Sequence, residues 1–88
     1  MKYITIEALQ ALFKGQIDKE ELLNRYVIPY ANNITIKDTD TILDAIEYAL
    51  HAFNMFFGEL AHLQESEVHD FLVLQSNSLN ELITQLND

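Results

Sequence analysis

The side chains able to do chemistry lie mostly in the second half of the chain, and the first to weigh is Glu59-x-x-His62. This i, i+3 pairing of carboxylate and imidazole is the ligand spacing of carboxylate-bridged di-iron bundles, which need two such motifs and two further glutamates, all pointing inward. On a helical projection centred on Phe53, Glu59 falls about 120° and His62 about 180° off the apolar axis, at roughly 100° per residue. Both point away from a core, so no metal is expected. His51, His62 and His69 offer acid–base or pH-sensing chemistry, with Glu47 placed one turn before His51 to pair with it. No nucleophile stands in a recognisable motif beside them. The chain has no cysteine, no glycine-rich phosphate loop and no nucleophile elbow. The reading is a protein that is not an enzyme and carries no cofactor.

A row of acidic residues is more informative. Asp40, Asp44, Glu47 and His51 stand at i, i+4, i+7 and i+11, on one helical stripe. At a rise of about 1.5 Å per residue the three carboxylates are stepped about 4 to 6 Å apart, near the step of successive phosphates along a nucleic-acid strand. Tyr48 adjoins the stripe with an aromatic face and a hydroxyl. Negative charge at a helix N-terminus is favoured by the dipole, which accounts for Asp38, Asp40 and Asp44 without invoking function. Glu47 lies beyond that reach, and no Lys or Arg follows at i+4 to neutralise any of them. A second acidic set, Glu67, Asp70 and Glu81, flanks the last helix, with Glu59 and Glu65 ahead of it. The residues expected to meet a partner are therefore Asp40, Asp44, Glu47, Tyr48, His51, Glu59, Glu67 and Asp70.

The charge is unevenly divided. The chain has 88 residues and a net charge of −9. Its first 37 residues hold all five basic side chains (Lys2, Lys14, Lys19, Arg25, Lys37) against four acidic ones, a net of +1. Residues 38–88 hold ten acidic residues and no Lys or Arg. A charge of this sign argues against binding nucleic acid directly or an anionic membrane. It suits a domain that meets a cationic protein. At 49% hydrophobic residues the chain is too apolar for a disordered acidic tail. The absence of cysteine removes any disulfide framework, and no apolar run reaches the ~18 residues of a membrane span. With no apolar leader segment after Lys2, a cytoplasmic location is expected.

The elements that must position these residues are helices. Two glycines and one proline in the whole chain, with long stretches at 3.6 spacing, predict an all-α fold, a small antiparallel four-helix bundle forming one domain over residues 1–88. Helix one starts near Thr5, turns Ile6, Leu9, Leu12 and Phe13 inward, and stops at Gly15. Helix two opens at Asp18, with Glu21 completing an acidic capping box, and ends at Pro29. Asn32-Asn33 reads as a turn, and Ile34-Thr35-Ile36 as an extended connection tucked onto the core. Helix three is capped by Thr39 or Asp40. Its apolar arc, Leu43, Ile46, Leu50, Phe53, Phe57 and Leu60, widened by Ile42, Ala49, Phe56 and Leu63, is broad enough to be touched on two sides. Ala45, Ala52 and Met55 broaden it further. A break near residues 64–67, capped by Ser66, leads to helix four with Val68, Phe71, Leu72, Leu79, Leu82, Ile83 and Leu86 inward. An unbroken helix from Asp40 to the C-terminus is the alternative.

The stretch Leu12-Phe13-x-Gly15-x-Ile17-Asp18-x-x-Glu21-Leu22-x-x-Arg25 resembles the opening of the colicin D immunity protein family, which begins with a short helix, a small-residue turn and a Glu-Phe/Leu helix. The likeness continues from Ile42-Leu43 through Ala49 to Phe53, and more loosely from Glu67 to Leu86, touching about two thirds of the chain. The resemblance implies a four-helix bundle that blocks the basic active site of a tRNA-cleaving toxin, with carboxylates standing where phosphates would. The family's acidic positions around the equivalent of Phe53 carry His51 and Phe56 here, and its Pro-Asp turn is missing. The inhibitory role would pass to Asp44 and Glu47 one turn earlier, or to Glu59 beyond, and the cognate toxin would differ.

The expected function is thus an immunity protein that inhibits a nuclease toxin, of tRNase type, through an acidic surface. Two alternatives remain open at this stage. One is a phage-type nucleic-acid mimic that blocks a host nuclease or DNA-binding complex. The other is a helical interaction module that completes its core by forming a homodimer over Ala52 and Met55.

Overall fold

Each of the first three helices begins where a side chain satisfies free amide donors. In the computed structural model, which describes residues 2–58 and 65–87, the Thr5 hydroxyl accepts from the Ala8 amide ahead of α1 (Ile6–Phe13). The Asp18 carboxylate accepts from the Glu21 amide at 2.7 Å ahead of α2 (Lys19–Tyr26). These caps match expectation, but the Glu21 side chain does not return to Asp18; it pairs with Arg25 at 2.9 Å one turn on. α1 stops in a left-handed turn at Gly15, φ +75°. There the Gln16 amide donates to Ala11 and the Gly15 amide to Leu12, the paired bonds that close a Schellman motif. α2 gives way to a single 3-10 turn, η1 (Ile28–Tyr30), where Pro29 costs no helical hydrogen bond.

The third helix starts earlier than the sequence suggested. α3 spans Ile36–Phe57, capped by Thr35 rather than by Thr39 or Asp40. The Thr35 hydroxyl accepts from the Asp38 amide, and the Asp38 carboxylate accepts from the Thr35 amide, a reciprocal box satisfying two donors. Ile36 is therefore not tucked onto the core; as the first helical residue it is 84% exposed. α3 ends at Gly58, φ +59°, a conformation that only glycine adopts without strain. The long helices are thus separate, with the stop at Gly58 and not at Ser66, which lies inside α4 (Glu65–Asn87). Leu60, His62, Leu63 and Gln64 lie outside the described residues.

The result is the expected all-α bundle, two long helices and two short ones, with no strand among the described residues. Phe57 meets Phe71 at one end of the α3/α4 pair, and Ala45 lies beside Leu79 and Leu82 toward the other, so the two run antiparallel. α3 packs against α1, α2 and α4, as its wide apolar arc required. Its buried line is Ile42, Ile46, Ala49 and Phe53, one residue round from the expected centre, and Leu43, Leu50 and Phe57 are half-buried flanks. Phe56 was expected to widen the core and instead is 74% exposed, with only a ring edge on Phe71. Phe13 stacks on Phe53 with centroids 4.5 Å apart, and Phe71 closes the cluster at 5.9 Å from Phe53. Each fully buried Ile, Leu or Phe contributes on the order of 1.5–3 kcal/mol.

α4 also buries two polar residues that periodicity did not single out, Ser76 and Asn80. Asn80 Oδ1 accepts from the backbone amides of Tyr3 and Ile4 at 2.8 and 2.7 Å. Its Nδ2 donates to the Ile4 carbonyl, which also accepts from the Ser76 hydroxyl. The Tyr3 and Ile4 amides and the Ile4 carbonyl of the N-terminal strap are thereby satisfied by one helix face. Asn87 repeats the device two turns on: its Oδ1 accepts from the Asn32 and Asn33 amides, and its Nδ2 donates to the Tyr3 hydroxyl.

Candidate protein-binding face

With the core side of α3 fixed by Ile42, Ile46, Ala49 and Phe53, helical geometry turns Asp40, Asp44, Tyr48 and His51 to the opposite side. All four are exposed, as is Glu47. Asp44, Glu47, Tyr48 and His51 line one shallow depression with Leu50 and Asn54, so the structure brings the expected α3 row together except for Asp40. Asp38 is withdrawn from it, because its carboxylate closes the α3 cap.

Glu47 is not free of counter-charge. Lys19, at the start of α2, donates to Glu47 Oε2 at 3.0 Å. That hydrogen bond, opposed by desolvation and reinforced by the charges of Glu47, Glu20 and Asp44, raises the Lys19 ammonium above its ordinary 10.5. A partner 28 residues away in sequence is invisible to helical spacing, and the expected Glu47–His51 pairing does not form. Among the described residues Asp40 and Asp44 make no ion pair, although the Asp44 charge acts on Lys19.

The second acidic set sits elsewhere. Glu67 and Asp70 are exposed near the start of α4, and Asp70 lines a depression with Ile6 and Gln10 of α1. The structure does not join Asp70 to the α3 row. Glu59 and His62 lie outside the described residues. Among the described residues no three His, Asp or Glu side chains gather within metal-binding reach. Among them, too, no helix is long and apolar enough to cross a membrane.

One side chain on this surface was missed by the sequence reading. Leu74 is 63% exposed and stands midway between Glu67 and Glu81, seven residues from each, on the outer face of α4. Across from it Tyr48 is 75% exposed. Together with Ala45, Ser78 and Leu82 they line an open groove of about 640 Å³ between α3 and α4. The signal was available in the sequence: Leu74 falls opposite the Leu72/Leu79/Ile83 line, where a surface helix ordinarily places a polar residue.

No family model, curated protein or solved structure matches this chain. What the fold defines is a small all-α four-helix bundle whose longest helix faces carry carboxylates and exposed apolar side chains.

Proposed function

We propose that this chain is a non-enzymatic inhibitor, an immunity-type protein that neutralises a nuclease toxin, of tRNase type, by laying its acidic α3 face over the toxin's basic active site. The observation that carries this reading is the outer face of α3. There Asp40, Asp44 and Glu47 stand exposed and in line beside Tyr48, with a single lysine contact among them, Lys19 to Glu47. A nuclease site is built to hold successive phosphates, and stepped carboxylates on a rigid helix present that charge pattern without the conformational cost of ordering a flexible strand. Opposite fields accelerate encounter and select the partner, and Tyr48 supplies a rigid aromatic anchor. The likeness of the N-terminal motif to colicin D immunity proteins points the same way.

The test is co-expression with the nuclease-toxin open reading frame expected beside this gene. The wild-type chain should relieve growth arrest, and Asp40→Lys with Asp44→Lys should abolish the relief while leaving the bundle folded. Arrest that the wild-type chain does not relieve, or relief that the double variant retains, would overturn the proposal.

A further inference from the structure

The groove between α3 and α4 has a composition that the acidic row alone does not explain. It is lined by Ala45, Leu79 and Leu82 together with the polar Gln75 and Ser78, with Tyr48 on the α3 side and Leu74 on the α4 side. Met55, seven residues beyond Tyr48 and so on the same side of α3, is 72% exposed and extends the α3 lip. Carboxylates stand along both lips: Asp40 and Asp44 precede Tyr48 on α3, and Glu67 and Glu81 lie seven residues either side of Leu74 on α4, all exposed. Neither helix carries a Lys or Arg after Lys37. An apolar trough bounded on both long edges by an excess of negative charge is complementary to one kind of occupant. That occupant is a helix with an apolar stripe at i, i+3/i+4, i+7 and basic residues on both flanks of the stripe.

We propose that the α3/α4 groove is a docking site for a cationic amphipathic helix of a partner protein, with its apolar stripe seated between Tyr48 and Leu74 and its flanking Lys or Arg residues paired with the carboxylates of the two rims. The charge pattern discriminates against other occupants. A second copy of this chain would bring two acid-rimmed grooves face to face with Lys37 of α3 as the one basic side chain of each helix pair, and like charges in such excess are disfavoured. An anionic lipid surface is repelled for the same reason. This assignment rests on reading the chain as a binder of cationic protein and refines it: the outer carboxylates steer, and the groove supplies the apolar contact area that holds the complex.

The experiment titrates the full chain by calorimetry with a synthetic eighteen-residue helical peptide (about five turns) whose leucines form one stripe and whose remaining positions are lysine and alanine. Saturable one-to-one binding is expected. It should weaken at least tenfold in Leu74→Glu and at least fivefold in Tyr48→Ala, with circular dichroism and urea midpoints unchanged because both side chains are mostly exposed. A peptide of identical composition with the leucines scattered should bind at least tenfold more weakly. Equal binding of the two peptides, or full affinity in Leu74→Glu, overturns the groove in favour of unspecific charge attraction. A dimer of the chain alone by light scattering, dissolved by Leu74→Glu, overturns it in favour of a second copy. Toxin neutralisation tests the parent reading separately. Neutralisation that survives Leu74→Glu alongside failure of the peptide removes the groove and leaves the inhibitor; specific peptide binding without any neutralisation removes the inhibitor and leaves the groove.

Discussion

The inner face of α4 and the outer face of α3 both carry polar side chains at helical spacing, and they are used in opposite ways. On α4, Ser76 and Asn80 are buried and bond to the backbone of Tyr3 and Ile4 and to each other. Among the described residues no buried side-chain polar atom lacks a partner. On α3, Asp40 and Asp44 are exposed and make no ion pair. Leaving a buried amide unsatisfied costs about 1–3 kcal/mol, whereas an exposed carboxylate contributes almost nothing to folding. Polar residues that bond inward hold this fold together. The outward ones are unconstrained by it, and are the ones open to selection for a partner.

The largest way to break the contrast is at Asn80. Asn80→Leu keeps the volume but leaves the Tyr3 and Ile4 amides without an acceptor, and should lower the unfolding free energy by about 2–4 kcal/mol. Urea denaturation reads this directly, and amide exchange should accelerate at residues 3 and 4. Asn87→Ala, which releases the exposed Asn32–Asn33 turn, should cost less, about 0.5–1.5 kcal/mol. On the other face, Asp40→Asn with Asp44→Asn should shift stability by no more than about 0.5 kcal/mol per site, with the same urea slope. A larger loss would mean that the α3 row serves the fold after all.

The smallest effect concerns Lys19. Its folded-state pKa is raised by the Glu47 hydrogen bond, so whatever it adds to stability is fully present below the ordinary lysine value and is lost as pH rises through the higher folded one. Wild-type thermal midpoints should therefore fall slightly faster than those of Lys19→Met above about pH 10.4, and the two curves should run parallel at neutral pH. Because the pair is exposed, the difference is expected to be small.

Much of this was legible in the sequence, and the failures have physical causes. Thr5, Asp18 and Gly15 work locally, through hydrogen bonds and backbone preferences that a few neighbouring residues determine, and all three fall where expected. Thr35 was missed because Ile-Thr-Ile reads as extended; the Thr-x-x-Asp box that overrides it uses an aspartate where glutamate is the usual partner. Gly58 was hidden inside an apolar run whose periodicity does not register a left-handed residue. Helical spacing does place Asp40, Asp44, Glu47, Tyr48 and His51 on one face. It cannot reveal that Lys19 reaches Glu47, or that Ser76 and Asn80 on an apolar face are matched to a strap 72 and 76 residues away, because those partners exist only once the chain has folded.

The central claim is that the free carboxylates of α3 serve a partner and not the fold. Its most direct test is the dissociation constant of the purified chain with the purified toxin nuclease domain, measured for the wild type and for Asp40→Lys with Asp44→Lys, alongside the urea midpoint of each. The account predicts affinity at least tenfold weaker in the double variant, about 1.4 kcal/mol or more, with the midpoint essentially unchanged. Equal affinity, or a loss of affinity matched by a loss of stability, would contradict it.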